Sequence, residues 1–366
     1  MALLLVLFIV AVLIVAFFIG HIYLQSVKFP GVKISIIVGS FLIKSMIKIL
    51  GPRMKIIEKV LSKPLPPSLE TESLKIETIP ITFDTSSSEL YLKENGQPIS
   101  HYSLRIYQPK PFKNDGYPIV MYIHGGGWML GSIDSSNQLC LTLSKKGFLV
   151  VSVNYRKTPE HVFPSCLNDN LNALSWIGKN YQKYNGNISQ LTITGESSGA
   201  HLAITTQIRI FSVDKEILER ENVPQITQQG LLYPVLEYYK YGNEKYDSYK
   251  KFRDCGLLLD GMIMDMFWSL LIGELREEEV KSNRFLSPLS AIDLSDNLFY
   301  SKFPKGFVWL AEYDVVRDEG ELFATLINKV SNGKLKIKEW KCGTHGFRFK
   351  RNYNDLADAI VELLQN

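Results

Sequence analysis

Leu191-Thr192-Ile193-Thr194-Gly195-Glu196-Ser197-Ser198-Gly199-Ala200 is the stretch on which the fold turns. Four residues of strand character run into a G-x-S-x-G turn, and apolar residues at helical spacing follow from Ser198 to Ile210. A serine on so tight a turn needs small neighbours, which Gly195 and Gly199 supply. Its hydroxyl then projects from the carboxyl end of a strand, where open α/β sheets bind their ligands. The helix beginning at Ser198 aims the positive end of its dipole at charge developing there. Ser197 is the candidate nucleophile, and Ser198 offers a backbone N–H to the same spot.

On either side of this turn, strand and helix patterns alternate. Ser103–Tyr107, Ile119–Ile123, Phe148–Val153, Leu191–Thr194, Gly230–Val235, Phe307–Leu310 and Leu335–Trp340 read as strands. Phe148–Val153 (FLVVSV) is a continuous apolar run, as in strands buried on both faces. Asn137–Lys146, Leu167–Tyr181, Ser198–Ile210, Asp318–Val330 and Asn352–Leu364 read as helices. The alternation predicts a mostly parallel sheet of about eight strands with helices on both faces. Residues 237–297 break the rhythm; Gly261–Leu271 (GMIMDMFWSLL) reads as a helix of a cap over the site.

His124-Gly125-Gly126-Gly127-Trp128 follows the strand Ile119–Ile123. Successive glycines let backbone N–H groups face a substrate oxygen with no side chain in the way, as acyl transfer through a tetrahedral oxyanion requires. The run matches neither a P-loop nor a dinucleotide fingerprint. Gly125, Gly126 and Ser198 are the expected oxyanion donors, with His124 and Gly127 in support.

HGGGW followed by GESSGA resembles the hormone-sensitive-lipase branch of the α/β-hydrolases. Asn154–Pro164 (NYRKTPEHVFP), Ser287-Pro288-Leu289 and Asp314-Val315-Val316-Arg317-Asp318-Glu319-Gly320 are similar to further segments of that branch. The resemblance spans about Ile119 to Phe347 and implies the α/β-hydrolase fold, with its triad in the order Ser, acid, His. Only His201 and His345 follow Ser197. His201 lies in the helix after the turn and is expected to pack. His345, in Gly343-Thr344-His345-Gly346-Phe347 after a strand, is the expected base. Glu312, Asp314 and Asp318 compete as the acid. Asp318 opens a helix and is expected to cap it; the resemblance assigns the role to Asp314, although Val315-Val316 stands where the family often has proline-leucine. Neither metal nor organic cofactor is called for.

The amino-terminal residues 1–20 form a separate unit. Ala2–Ile19 carries no charged or polar side chain, and at about 1.5 Å per residue it nearly crosses a hydrocarbon core of roughly 30 Å. The reading is an uncleaved single-pass anchor, followed by an amphipathic segment and linker (residues 21–67) and a catalytic domain (68–366). Val32–Leu50 fits either a membrane-surface helix or part of the cap; Lys63–Pro67 fits the linker. Lysines after the span favour a cytosolic domain. The sequon Asn187-Ile188-Ser189 and the resemblance of an anchored domain to arylacetamide deacetylases and fungal sterol deacetylases point instead to the endoplasmic reticulum lumen. That resemblance implies acetyl esters of hydrophobic alcohols, such as sterol acetates; acylglycerols, arylamides and formamides are the enzymatic alternatives, and a non-catalytic ligand-binding domain the distant one.

A net charge of +4 over 366 residues, without a basic run, excludes nucleic acid as a natural partner. Cys140, Cys166, Cys255 and Cys342 lack metal-ligand spacing and leave buried thiols or one disulfide open. The expected partners are a hydrophobic ester and a bilayer, and oligomeric state is not legible.

Overall fold

The computed structural model describes residues 2–53, 65–346 and 353–365 except Gln97, Gly256, Leu294 and Asn332, with side chains described from residue 15 to 362 apart from Pro52, Tyr353 and Leu356. Lys63 and Pro64 of the expected linker, Phe347 and Asn352 lie outside the described residues.

Apolar runs build the centre of a sheet of nine strands: β1 (Ser68–Glu70), β2 (Leu74–Asp84), β3 (Ile99–Pro109), β4 (Tyr117–Ile123), β5 (Leu149–Asn154), β6 (Gly186–Glu196), β7 (Gln228–Leu232), β8 (Lys305–Tyr313) and β9 (Leu335–Thr344). The order is β1-β2-β3-β5-β4-β6-β7-β8-β9. From β5 to β9 neighbours are parallel, while β1, β2 and β3 pair antiparallel, so the sheet is mixed. Ile119–Ile123 and Leu149–Val153 are buried along their whole length, which is what a two-sided cover demands. The expected count of about eight fell short because β1 and β2 were not read: β2 is an outer strand that mixes Pro80 and threonines into its alternation, and β1 is only three exposed residues long.

Helices α1 (Ala2–Lys28) and α2 (Ile34–Leu50) precede the sheet. Helices α3 (Asn137–Lys145), α4 (Ser165–Asn180), α5 (Ser198–Phe211) and α6 (Lys215–Arg220) link the central strands. Alternate residues of a strand point to opposite faces. Ser100 and Tyr102 of β3 bond to Asp169 and Asn172 of α4, whereas Arg105 and Tyr107 bond to Asn137 of α3. Helices therefore cover both faces.

Between β7 and β8 the expected insertion is a set of helices: α7 (Tyr239–Lys245), α8 (Asp247–Phe252), α9 (Gly261–Ile272), α10 (Glu277–Ser282), α11 (Pro288–Ala291) and α12 (Asn297–Ser301). Asp260 caps α9 by accepting from the Ile263 N–H at 3.2 Å. After β8, α13 (Arg317–Ser331) leads to β9, and α14 (Tyr353–Gln365) ends the described chain.

The helix expected at Ala2–Ile19 continues to Lys28, and the side chains of its first half lie outside the described residues. Among the described residues no helix is long and apolar enough to cross a membrane. All four cysteines are free thiols, three buried and Cys342 half-buried.

Candidate active site

The strand order reverses around β4, which sits between β5 and β6. Loops leaving the carboxyl ends of β4 and β6 part there and open a crevice. Five carboxyl ends deliver the site: Gly125 follows β4, Ser197 β6, Tyr233 β7, Asp314 β8 and His345 β9.

Ser197 holds φ +54° and ψ −123°, a region that non-glycine residues rarely enter. Its N–H donates to the Leu232 carbonyl at 2.9 Å, which ties the turn to β7. A Cβ on Gly195 would fall 2.4 Å from the Gly199 carbonyl oxygen, and one on Gly199 would fall 2.2 Å from that of Ile123, so the turn closes only on glycine.

His345 Nε2 lies 2.8 Å from Ser197 Oγ, and Nδ1 lies 2.7 Å from Asp314 Oδ2. An ionised carboxylate only accepts, so Nδ1 carries the proton and Nε2 is free to accept from the serine hydroxyl. Asp314 is buried and its Oδ1 accepts from the Val316 N–H at 3.1 Å. The structure thus brings Ser197, His345 and Asp314 into one hydrogen-bonded line. The competing carboxylates are used elsewhere: Glu312 accepts from the Cys342 N–H at 2.7 Å. Asp318 does not cap its helix, contrary to the sequence expectation; α13 starts one residue earlier, and Asp318 accepts from the Ser248 N–H at 2.7 Å.

Gly125, Gly126 and Gly127 line the same cavity as Ser197. A Cβ on Gly125 would sit 3.3 Å from that of Ser197. Gly126 holds φ +123°, and a Cβ there would meet the Leu130 carbonyl oxygen at 2.2 Å. Ser198 is buried as the first residue of α5. His124 lies under the glycine loop, stacked on Tyr155 at 4.4 Å with Nδ1 2.8 Å from the Gly125 carbonyl. Burial, aided by Lys157, holds its imidazole well below the ordinary range, so it stays neutral and supports the loop. His201 is buried against Trp128 and Trp268 and bonds the Leu286 carbonyl at 3.2 Å, away from the serine. Asn187, the sequon residue, is half-buried, with Oδ1 accepting from Ser189.

Three participants were not read from the sequence. Glu196 lines the cavity and accepts from the hydroxyls of Tyr122 at 3.1 Å and Tyr233 at 2.8 Å. Burial, with Glu196 adding to it, raises both phenols well above their usual range and keeps them as donors. The Tyr233 ring packs against that of His345 at 4.6 Å, tilted by 53°. Tyr233 directly follows a strand at the sheet's carboxyl edge, and that placement was the available signal. Ile43 and Ile47 of α2 and Phe267 of α9 form the roof of the cavity, which is about 230 Å³ in volume. Helix α2, for which the sequence left a membrane-surface and a cap role open, thus lines the cavity, and its Lys44 pairs with Asp260 at the start of α9.

A larger cavity of about 930 Å³ lies beside Arg156 and Phe285. No member of the serine–histidine line reaches it. The NYRKTPEHVFP segment at its edge is structural: buried Arg156 forks onto Glu94 at 2.8 and 2.9 Å and reaches Asp169 at 3.0 Å.

Residues 120–349 match the family Abhydrolase_3, described as alpha/beta hydrolase fold, and the chain belongs to that family, in the hormone-sensitive-lipase-like branch. Within it, the site is that of a carboxylic ester hydrolase, and the relatives point the same way. The chain is 32% identical over 225 residues to an arylesterase of Saccharolobus solfataricus, covering 60% of this chain and 65% of that one. It is 34% identical over 135 residues to an arylacetamide deacetylase-like 4 family member of Mus musculus, 37% of this chain and 31% of the other. Among solved structures, a hyperthermophilic esterase from Pyrobaculum calidifontis matches with a TM-score of 0.63 at 24% identity, covering 86% of this chain and 90% of that one; this likeness shows the fold. The chain spans about two thirds of the arylesterase's length and about a third of the deacetylase-like relative's.

Proposed function

We propose that this protein is a membrane-anchored serine esterase that removes acetyl groups from hydrophobic esters, sterol acetates among them. The carrying observation is the line Ser197 Oγ–His345 Nε2 at 2.8 Å and His345 Nδ1–Asp314 at 2.7 Å, beside a glycine loop. In the proposed reaction Ser197 attacks the ester carbonyl as His345 takes its proton. Asp314 holds the imidazole in the required tautomer and stabilises the imidazolium. Backbone N–H groups of Gly125, Gly126 and Ser198 receive the oxyanion. His345 then protonates the departing alcohol. Water, deprotonated by the same imidazole, releases acetate from Ser197.

The cavity, at about 230 Å³, is below the roughly 300–1,000 Å³ that encloses a drug-sized ligand. It holds the reacting ester and little more, so the larger part of a hydrophobic ester must extend past the roof. The apolar stretch Ala2–Ile19 and the deacetylase-like relative support the anchor and the acetyl group. A luminal domain in the endoplasmic reticulum, with Asn187 glycosylated, completes the reading.

The test is release of acetate, and of longer acids, from sterol esters by the full chain and by Ser197→Ala. The expected result is acetate release that depends on Ser197. Faster release of long-chain acids, or of amines from arylamides, would overturn the acetyl-ester reading; labelling by a phosphonate probe that survives Ser197→Ala would overturn the nucleophile.

A further inference from the structure

Helix α2 has two apolar faces, and only one is accounted for. On the inner face Ile37, Ser40 and Ile47 are buried, and Ile43 and Ile47 border the cavity. On the outer face Ile34, Val38, Leu42, Ser45 and Ile49 recur at helical spacing. Ile34, Leu42 and Ile49 on it are 60%, 51% and 79% exposed. A helix merely packed on a water-soluble domain would carry polar residues there. Lys33 and Lys48, exposed near its two ends, suit lipid phosphates, towards which such side chains extend. Helix α1, which packs on α2 through Phe18–Phe41, exposes Phe17, Ile19, Leu24 and Val27 as well. Two successive helices with bare apolar faces and flanking cations fit a phospholipid surface.

We propose that α2 is a two-faced lid: its inner face roofs the cavity over Ser197, and its outer face is seated among the acyl chains of a bilayer, so that substrate enters from the lipid phase between α2 and α9. The inference rests on the hydrophobic-ester reading above and adds the route to it. The cavity is bounded by Ile43 and Ile47 on one side and Ile263 and Phe267 on the other. An alcohol too large for about 230 Å³ extends along that seam towards the apolar outer face. The Lys44–Asp260 pair joins the two helices at one point of the seam.

The experiment compares the full chain with a Leu42→Glu, Ile49→Glu double variant on two substrates: p-nitrophenyl acetate in solution, and a sterol acetate dissolved in phosphatidylcholine–phosphatidylserine vesicles. Neither position borders the cavity. The expected result is soluble-ester turnover within twofold of the parent and vesicle turnover lowered at least tenfold. Equal losses on both substrates, or vesicle turnover within twofold of the parent, would overturn the lid. A second measurement needs no turnover: Leu42→Trp in the Ser197→Ala chain, with vesicles whose acyl chains are brominated. Emission added by the new tryptophan is expected to fall at least twofold. No quenching, with or without a stable dimer that gives the face to a second copy, overturns the proposal. If neither ester is hydrolysed while quenching persists, the functional reading fails and the bilayer seat stands.

Discussion

At the carboxyl rim of the sheet every reacting side chain is held by polar contacts of fixed direction; in the roof above it, the walls are apolar side chains held by packing. Ser197 is pinned by a strained turn and a bond to Leu232, His345 by Asp314 and the Tyr233 ring, and the glycine loop by His124. Ile43, Ile47, Ile263 and Phe267 have no such direction to satisfy. Hydrogen bonds fix an atom within a few tenths of an ångström, as proton transfer requires, whereas apolar packing tolerates changes of shape when volume is kept. Chemistry and substrate choice thus rest on different forces, and the two regions should respond differently to substitution.

The largest effects belong to the rim. Ser197→Ala or His345→Ala should each lower kcat on p-nitrophenyl acetate about a million-fold, because the two act as one unit. Asp314→Asn should cost roughly ten-thousand-fold by favouring the wrong tautomer. Gly126→Ala drives a Cβ into the Leu130 carbonyl oxygen at 2.2 Å and moves an N–H proposed to receive the oxyanion, which should cost about a hundredfold to a thousandfold in kcat with KM little changed. If any of these four were matched by a roof substitution such as Ile43→Ala, the division between the regions would fail.

The same division explains what the sequence made legible. The serine turn and the glycine loop are local: glycines and one apolar strand specify them, and Ser197, Gly125 and Gly126 could be placed without knowing anything distant. The acid was not local. Glu312, Asp314 and Asp318 lie within seven residues of one another, and which one meets the imidazole depends on how the chain turns after β8. Asp318 looked like a cap because α13 was started one residue late; its carboxylate is spent on Ser248, on a helix of the insertion. Tyr233 and the roof were not legible for a similar reason. Periodicity shows that Val32–Leu50 forms a helix, but both of its faces are apolar, so the pattern names no inner side; contact with α9 does.

A smaller effect tests the joint between the regions. His201 packs against both Trp128, which follows the glycine loop, and Trp268 of α9, which also touch each other. Burial lowers its imidazole to about 4 from the ordinary 6.5. The unfolded chain therefore binds the proton first as pH falls. Stability that is fully present above about pH 6.5 is lost progressively towards pH 4, by up to about 3 kcal/mol from this residue. Denaturant midpoints measured across that window should fall with acid, and His201→Gln should flatten the slope. An unchanged slope would mean that the joint is not where the two regions meet in energy.

The smallest expected effect is the one that assigns the acyl wall. A Cβ on Gly127 would lie 2.3 Å from the Phe267 ring, so ring and glycine loop are in contact, and the ring closes the cavity near the attacked carbonyl. Phe267→Ala removes that closure without touching Ser197, His345 or Asp314. Acetyl esters fill less of the enlarged space and should lose kcat/KM, while butyryl esters gain room for two methylenes. One methylene in a hydrophobic pocket is worth about 1–3 kcal/mol, so the butyryl-to-acetyl ratio should rise about tenfold or more. The reverse change, Gly127→Ala, forces the ring inward and should lower that ratio. If the ratio stays constant in Phe267→Ala while both rates fall, the acyl group lies elsewhere, and Phe267 bounds the alcohol side of the seam beneath α2 instead.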